Sequence, residues 1–264
     1  MIRLSLVTIS FNQGRYLSEL LRRTRSQLGP SDEHIVVDAG SRDGSRETLA
    51  SYAASDARVK IIMEGDEGPA DGLNKGFELA TGEICGYINA DDFLLDGCVE
   101  YVRREFSRSE TMDALIGSVK IANAAGHMRW RGRIPDGFDL RRAVGGTLFY
   151  VQQGSFFRRR LFGRTARFNI ENHTCWDFEL MVDFALRGAR IKTIDRPLAA
   201  FRLHEDSITG QRQNGQFYQA DKARIAAKIR ASGLKCAPRW LELYWRLEAR
   251  GNPIRWLRQL SPIE

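Results

Sequence analysis

The sequence has 264 residues, of which 43% are hydrophobic and 28% charged. This composition predicts one large globular domain, alone or with a tail, and excludes intrinsic disorder, collagen-like repeats and disulfide-stapled miniproteins. The four cysteines stand far apart without a Cys-x-x-Cys pair, so neither a zinc site nor a disulfide framework is predicted. No apolar run approaches the roughly 20 residues that cross a bilayer, and the N terminus lacks a secretory pattern. We therefore expect a cytoplasmic protein.

The formal net charge is +7, and most of the excess lies near the C terminus. Between residues 221 and 264 there are ten Lys or Arg against four Asp or Glu. Trp240, Trp245 and Trp256 lie among these basic residues, a mixture that suits the headgroup layer of an anionic membrane. A helix that only covers the core would explain the same segment. Nucleic acid is not a predicted partner, because no nucleic-acid-binding motif accompanies the charge.

The first half of the chain alternates between strand and helix patterns. Strands are predicted over the apolar, β-rich runs 4–10, 34–38, 59–63 and 84–88. Helices are predicted where apolar residues recur at helical spacing: 16–28, the stretch after Asp43-Gly44, 73–79 and 96–106. Strands that are separated by such helices form parallel β-α-β units. The predicted fold is therefore an α/β sandwich around a mostly parallel sheet.

Polar clusters follow each of the four predicted strands. They are Ser10-Phe11-Asn12, Asp38-Ala39-Gly40-Ser41, Glu64-Gly65-Asp66 and Asn89-Ala90-Asp91-Asp92. Ligands of open α/β sheets bind at the carboxyl ends of the strands, so these four loops should meet at one crevice. Ordinary turn formation explains each cluster singly, and less well all four together.

The second half of the chain is less regular. Strands are predicted over 114–121 and 191–194, and a helix over 178–186 ends at Gly188. We expect one catalytic domain over residues 1–205, made of a regular half (1–105) and a less regular half (106–205). A basic, Trp-containing helical extension over 206–264 completes the predicted organisation.

The oxygen-rich cluster after the fourth strand is a candidate metal site. Asn89, Asp91 and Asp92 offer hard oxygen ligands of the kind that Mg²⁺ or Mn²⁺ prefers when it is bound together with phosphate oxygens. Alone, an Asp-Asp pair is more often used in turns and helix caps, so its context must supply the specificity.

That context is a resemblance to glycosyltransferase family 2, carried by five motifs in chain order. They cover residues 6–12, 35–45, 64–68, 71–76 and 88–92. The resemblance is strong over about the first 100 residues and looser to about residue 208. It implies the GT-A fold, a nucleotide-binding α/β sandwich, with a nucleotide-sugar-binding half (1–105) and an acceptor-binding half (106–205). It also implies an inverting transferase of the hexosyltransferase type that uses a nucleotide diphosphate sugar, with a UDP-sugar as the expected donor.

The resemblance implies that the first two loops bind the nucleotide. It places Ser10, Phe11 and Asn12 beside the base and ribose, and Asp38 on the base. A role for Asp38 in its own turn is the alternative. Ala39 stands where many members carry a second Asp, which leaves the identity of the base open.

The third loop and the helix after it would line the donor sugar or diphosphate. The resemblance implies this role for Asp66, Asp71, Asn74 and Lys75, and the Lys75 ammonium could pair with phosphate. Asp71 could instead cap the helix that carries the other two residues.

The metal motif of the family, Asp-x-Asp, is written here as Asn89-Ala90-Asp91. The resemblance then makes Asp91 the direct ligand of Mn²⁺ or Mg²⁺, with Asn89 on a ribose hydroxyl or a metal-bound water. Asp92 and His204 are further candidate ligands, and a structural role for His204 is the alternative. The missing first carboxylate lowers the charge gathered around the ion.

The resemblance also implies a carboxylate base that deprotonates the acceptor hydroxyl. The stretch 172–180 resembles the acidic motif that supplies it, and we assign the base to Asp177. An ordinary acid at a helix start is the alternative. Glu179 is two residues further on, so on a helix it points to another side and serves the structure. Gln153 is a candidate contact for an acceptor sugar.

The predicted function is sugar transfer to a glycan acceptor in bacterial surface polysaccharide or lipid-linked oligosaccharide assembly, peripherally on the inner face of the cell membrane. A sugar-phosphate nucleotidyltransferase would need a Gly-rich basic loop after the first strand, and a dehydrogenase would need G-x-G-x-x-G there. Neither is present. A catalytically silent nucleotide-sugar-binding scaffold of the same fold remains the alternative, because Asn89 replaces an acid.

Overall fold

The computed structural model describes residues 2–132, 137–148, 150–207, 215–235 and 237–250. Its strands are β1 (Leu4–Ser10), β2 (Glu33–Asp38), β3 (Val59–Met63), β4 (Ile84–Asn89), β5 (Phe93–Leu94), β6 (Ala114–Ala122), β7 (Met128–Gly132), β8 (Ser155–Arg158) and β9 (Ile191–Arg202). Its α-helices are α1 (Gly14–Arg25), α2 (Ser45–Ser55), α3 (Pro69–Glu78), α4 (Cys98–Arg108), α5 (Leu140–Val144), α6 (Arg159–Phe162), α7 (Trp176–Leu186), α8 (Gly215–Ala231) and α9 (Arg239–Arg250). A short 3-10 helix spans Gln152–Gly154.

One sheet runs through the whole fold in the order β3-β2-β1-β4-β8-β6-β9-β5, with β7 beside β6. Strands β1 to β4 are mutually parallel, as the alternating pattern predicted. Their carboxyl ends therefore lie at one edge of the sheet. The second half mixes directions: β8 is antiparallel to both of its neighbours, and β6 is parallel to β9.

Helices cover both faces of the sheet because the central strands are apolar on both sides. One cluster joins Leu4 and Leu6 of β1 to buried residues of α1, α2 and α4. The other joins Val7 of β1 and Tyr87 of β4 to buried residues of α3 and α7. Side chains alternate along a strand, so β1 contributes to both clusters. The predicted α/β sandwich is confirmed.

Several element boundaries differ from the sequence prediction; helix α3, for example, begins at Pro69 rather than at Leu73. Helix α1 ends at Arg25 rather than continuing to Leu28, and Pro30 disfavours helical backbone in the residue before it. Strand β9 runs to Arg202 rather than ending at Ile194, because β6 continues to pair with it beyond an irregularity around Ser118. The short strands β5 and β7 lack a sequence signal of their own.

The C-terminal segment packs on the domain through two helices. Helix α8 contributes Ile225 and Ile229 to a cluster with α5 and α7. Trp245 of α9 is only 6% exposed and lies 5.3 Å from the Arg142 guanidinium, measured to the ring centroid. The ring of Trp245 therefore packs inward, which agrees with the alternative of a helix that covers the core. Trp256 lies outside the described residues, and the division at residue 205 stays a prediction.

Across the described part of the chain, every helix is too short or too polar to traverse a bilayer. Cys85, Cys98 and Cys175 are buried. Burial raises the pKa of the Cys85 thiol to about 12, which keeps it protonated and unreactive at neutral pH. Cys236 lies outside the described residues.

Candidate functional site

The loops after β1 and β2 are locked to each other. The backbone N–H of Asn12 donates to the Ser41 hydroxyl at 2.8 Å, and the Asn12 side-chain oxygen accepts from the backbone N–H of Arg42 at 2.9 Å. Asn12 has a positive φ of 52°, which asparagine tolerates better than most residues. The two predicted nucleotide loops thus form one rigid unit at the sheet edge.

Asp38 shapes its own loop. Its carboxylate accepts hydrogen bonds from the backbone N–H of Gly40 at 3.1 Å and of Ser41 at 2.9 Å, and from the Ser41 hydroxyl at 2.6 Å. A carboxylate offers about four lone-pair positions, so one acceptor position remains. Beside it, the Phe11 ring is 59% exposed, and the buried Ser10 hydroxyl has no hydrogen-bond partner among the described residues.

The loop after β3 and the start of α3 carry several carboxylates around the ammonium group of Lys75. Lys75 donates to the Gly65 carbonyl at 2.7 Å and lies 3.2 Å from Asp71. Asp71, in the first turn of α3, accepts from the backbone N–H of Glu67 at 3.1 Å and so ties the preceding loop to the helix. The pKa of Asp66 is raised, first by burial and then by the charges of Asp71 and Asp38. The loop thus gathers negative charge around the Lys75 ammonium, which also lies 3.4 Å from Glu64.

Asn74 ties α3 to a distant segment. Its side-chain N–H donates to the Phe168 carbonyl at 2.9 Å, and its oxygen accepts from the Phe168 backbone N–H at 3.0 Å. This bidentate pair uses both polar atoms of the amide. Both polar atoms of the Asn74 amide are therefore engaged by Phe168, 94 residues away. A contact with the donor sugar or diphosphate would need this amide to be free.

Asp91 and His204 meet at the end of β4. His204 Nε2 lies 3.0 Å from Asp91 Oδ2, and both side chains are less than 10% exposed. Asp91 Oδ1 and His204 Nδ1 are buried without a hydrogen-bond partner in the described structure. The Tyr16 ring stacks against the imidazole with ring centroids 4.8 Å apart. A carboxylate and an imidazole with open donor atoms are suitable ligands for a divalent transition ion.

Asp92 is held inside the protein rather than presented to a ligand. Its oxygens accept from the Arg202 backbone N–H at 2.7 Å and from the Gln153 side-chain N–H at 2.6 Å. Burial, followed by the charge of Asp91, raises the pKa of Asp92 well above its usual range. This hydrogen bond links Gln153, the candidate acceptor contact, to the metal motif. The Oε1 atom of Gln153 has no hydrogen-bond partner within the described chain.

Arg202, to which the sequence assigned no role of its own, braces the same corner. Its guanidinium bonds to Glu19 at 2.8 Å and to the Ala124 carbonyl at 3.0 Å, and lies 4.6 Å from the Tyr16 ring centroid. Arg202 stands two residues before His204 in the stretch that resembles the family. An arginine at this spacing is the signal that could have identified it.

Asp177 lies in the first turn of α7 and is partly buried. Its Oδ1 accepts from the backbone N–H of Phe178 at 2.7 Å. The hydroxyls of Tyr87 and Tyr150 lie 3.3 Å apart. Burial raises the pKa of both phenols, and the negative charge of Asp177 raises it further. Asp177 is thus a carboxylate in the first turn of a helix, and its charge reaches two buried phenols.

Glu179 belongs to an ion cluster on the other side of α7, as its position in the helix predicted. It accepts from Lys228 at 2.7 Å and from Arg224 at 3.2 Å, both on α8. Asn172, just before α7, donates to it at 2.8 Å. Burial raises the pKa of Glu179, but these hydrogen bonds lower it more, so it lies below its usual range. Glu179 therefore holds α7 in place.

A divalent ion would find few protein ligands here. Among the described residues, no group of three or more His, Cys, Asp or Glu could hold a metal ion by itself. Asp91 and His204 could supply two donors, so most of the coordination would have to come from a substrate and water. The residues present fit an ion that arrives with a diphosphate.

Comparison with known proteins gives the family. The model described as "Glycosyl transferase family 2" matches residues 5–165. An uncharacterized glycosyltransferase of Nostoc sp. is 22% identical over 210 residues, which are 77% of this chain and 65% of that protein. A PGL/p-HBAD biosynthesis glycosyltransferase of Mycobacterium bovis is 28% identical over 183 residues, covering 67% of this chain and 68% of the relative. The chain spans only 29% of the putative glycosyltransferase EpsH of Bacillus subtilis, at 34% identity over 100 residues.

Solved structures confirm the predicted GT-A type fold. S. aureus TarS (residues 1–349), in complex with UDP-GlcNAc, has a TM-score of 0.69 at 18% identity, covering 98% of this chain and 74% of that one. The mannosyltransferase PcManGT from Pyrobaculum calidifontis, with GDP-Man and Mn²⁺, has a TM-score of 0.65 at 19% identity, covering 98% and 72%.

Proposed function

The chain belongs to glycosyl transferase family 2, and from this membership we propose that it moves a sugar from a nucleotide diphosphate sugar to a hydroxyl of a glycan acceptor, with inversion at the anomeric carbon. One observation carries the proposal. The loops after four parallel strands meet at one sheet edge, and the last of them holds the Asp91–His204 pair with its open donor atoms. Nucleotides bind at such edges in α/β folds.

The donor would lie across the loops after β1, β2 and β3. Phe11 offers an exposed ring for a base, and Asp38 has one acceptor position left for a base N–H. Lys75 can exchange its present partners for a phosphate, because its ammonium has rotatable donors on a flexible stem. TarS is solved with UDP-GlcNAc and PcManGT with GDP-Man. We propose a UDP-sugar as the donor of this chain.

Asp91 and His204 would hold the diphosphate through a divalent ion, Mn²⁺ or Mg²⁺, with Asn89 beside them on a ribose hydroxyl or a bound water. Such an ion neutralises the negative charge that builds on a leaving diphosphate. Asp92 keeps this corner in shape through its bonds to Arg202 and Gln153. We propose that Asp92 is a positioning residue and that Gln153 Oε1 is its open contact for an acceptor.

Asp177 would act as the general base. A single displacement needs a carboxylate that takes the proton from the acceptor hydroxyl while that oxygen attacks the anomeric carbon. Asp177 lies in the first turn of α7, and the two buried phenols that its negative charge reaches stay protonated.

The test separates binding from chemistry. We expect one of UDP, GDP, dTDP and CDP to raise the melting temperature in an Mn²⁺- or Mg²⁺-dependent way, because a ligand of the folded state stabilises it. Asp177→Asn should keep this shift and lose sugar transfer by at least about 100-fold, the usual contribution of a general base. Asp91→Asn should lose the metal-dependent part of the shift. Asp96→Asn, at a side chain that is 91% exposed, is the matched control.

Two results would overturn this assignment. Full activity of Asp177→Asn would remove it as the base. Binding without turnover of any donor would favour a silent nucleotide-sugar-binding scaffold, for which Asn89 in place of an acid is the supporting observation.

We also propose an acceptor and a location. The acceptor would be a glycan on a lipid carrier, in surface polysaccharide or lipid-linked oligosaccharide assembly, and the enzyme would work peripherally on the inner face of the cell membrane. Support comes from the basic C-terminal segment and from relatives such as the mycobacterial PGL/p-HBAD biosynthesis glycosyltransferase. Transfer to an extracted lipid-linked acceptor, compared with a free sugar, tests this part.

A further inference from the structure

Helix α9 carries an apolar ridge on its solvent side. The ridge consists of four side chains, each more than half exposed: Trp240 (71%), Leu243 (60%), Tyr244 (59%) and Leu247 (55%). Their spacing of three and four residues places them on one face of the helix. Two are aromatic and two are leucines, so the ridge is a continuous apolar surface rather than scattered exposed residues.

The orientation of this ridge is fixed by the opposite face of α9. Trp245 is 6% exposed and packs against the guanidinium groups of Arg141 and Arg142, 5.9 and 5.3 Å from its ring centroid. Glu248 adds a salt bridge to the buried Arg142 at 2.8 Å. The helix is therefore seated on the domain, and its outward side is the apolar one.

Positive charge flanks the ridge on one side. Arg239 and Arg246 are exposed and stand four residues before and three residues after Leu243, so both border that part of the ridge. Two acids of the described C-terminal segment are paired with arginines: Glu248 with Arg142, and Asp221 of α8 with Arg224. Glu242, in the first turn of α9, is half-buried. The outward face is thus both apolar and cationic.

We propose that this α9 ridge is the surface by which the protein docks on a bilayer that contains anionic phospholipid. Trp and Tyr rings suit the headgroup region, leucines enter the acyl boundary, and the arginines bind lipid phosphates. A second copy of the chain is a poorer occupant, because a symmetric contact through the ridge would bring Arg239 and Arg246 near their own counterparts. The proposal rests on the peripheral location proposed above, and not on the transfer reaction.

Vesicle binding by the full chain tests the proposal without donor or acceptor. We expect co-flotation with phosphatidylcholine vesicles that contain about 30% phosphatidylglycerol, weaker binding to pure phosphatidylcholine, and loss of binding as salt is raised. Trp240→Ser combined with Leu247→Ser should lower the partition coefficient by about tenfold or more, since both lose apolar burial in the interface. Ile170→Ser, at an apolar side chain that is 47% exposed elsewhere, should bind like the parent.

A second variant pair isolates the charge. Arg239→Gln with Arg246→Gln should weaken binding to anionic vesicles and leave binding to phosphatidylcholine unchanged, whereas the exposed pair Arg22→Gln with Arg46→Gln is the control. Transfer to a water-soluble acceptor should stay at the parental rate in all these variants. If the parent bound vesicles but transferred no sugar, that result would therefore count against the proposed function alone.

Three outcomes would overturn the proposal. The Trp240/Leu247 variant could bind anionic vesicles as the parent does. Binding could survive in that variant and vanish when the chain is cut after residue 250, which would assign it to residues 251–264. Finally, light scattering could show a dimer that only the ridge variant dissociates, with no vesicle binding by the parent, which would make the ridge an interface between copies.

Discussion

Replacing Lys228 by Met would remove the ammonium group that α8 inserts between two acids of α7. Lys228 donates to Glu179 at 2.7 Å and to the two oxygens of Asp183 at 3.0 and 3.2 Å. The two carboxylates lie four residues apart on α7 and are 3% and 10% exposed. Without the lysine they would repel each other in a poorly solvated place, with Arg224 as the nearest remaining cation on α8.

The size of the effect follows from burial. Removing one partner of a fully buried ion pair costs about 3–5 kcal/mol, but the Lys228 side chain is 34% exposed, so water replaces part of the lost interaction. We expect a loss of about 2 kcal/mol in the free energy of unfolding at pH 7. For a domain of this size that is a fall of about 4–8 °C in melting temperature. Because α7 carries Asp177 in its first turn, kcat should fall more than the affinity for the nucleotide changes.

The assay is chemical denaturation of the parent and three variants as a function of pH. Lys228→Arg keeps the charge and should lose less than half as much stability, and Lys222→Met removes an exposed lysine from the same helix and should change little. Hydrogen bonds hold the pKa of Glu179 below its usual value of 4.5, so its stabilising contribution is present above that pH and is lost as the pH falls. The difference between Lys228→Met and the parent should therefore shrink in acid. A difference that is independent of pH, or absent at pH 7, would refute this reasoning.

Two further predictions concern the first half of the sheet. Burial raises the pKa of Glu33, but hydrogen bonds, above all from Lys60, lower it to about 2. The ionised Glu33 side chain should therefore contribute about 3 kcal/mol to the free energy of unfolding at pH 7. This contribution should be lost as the pH falls from about 4.5 to about 2. Glu33→Gln should flatten the acid limb of the stability curve, and an unchanged acid limb would contradict the assignment. Gly76→Ala would place a Cβ 2.5 Å from Val7 Cγ1, and we expect a net loss of about 1–3 kcal/mol by calorimetry, whereas Gly65→Ala, with open space around it, should be neutral. A Gly76→Ala protein that melts like the parent would show that the helix can move away from β1.

The first four strands and the loops that follow them could be predicted because the sequence patterns that indicate them are local. Apolar runs, turn residues and helical spacing occur within ten or so neighbouring residues, and parallel crossovers then bring the strand ends to one edge. Asp38 and Asp91 are therefore at the sheet edge for reasons already visible in the chain. The family resemblance follows from the same short motifs, and the match over residues 5–165 confirms it.

Pairs of residues far apart in the chain were decided only by the tertiary structure. Asp92 bonds to Gln153, because β8 is inserted beside β4 and brings the preceding 3-10 helix against the metal motif. Asn74 bonds to Phe168 and Glu179 to Lys228 across 94 and 49 residues. Motif spacing carries no information about such pairs, because it describes one segment at a time.

The C-terminal helix shows the same division. Composition alone placed Trp240 and Trp245 in a basic, aromatic segment. Trp245 stands five positions after Trp240, which corresponds to about 140° around a helix, so the two rings must face differently. Which ring turns inward depends on what the helix meets, and here Arg141 and Arg142 of α5 receive Trp245. The sequence determined that α9 is amphipathic, and only its contact with α5 decided that Trp240 is the ring left facing the solvent.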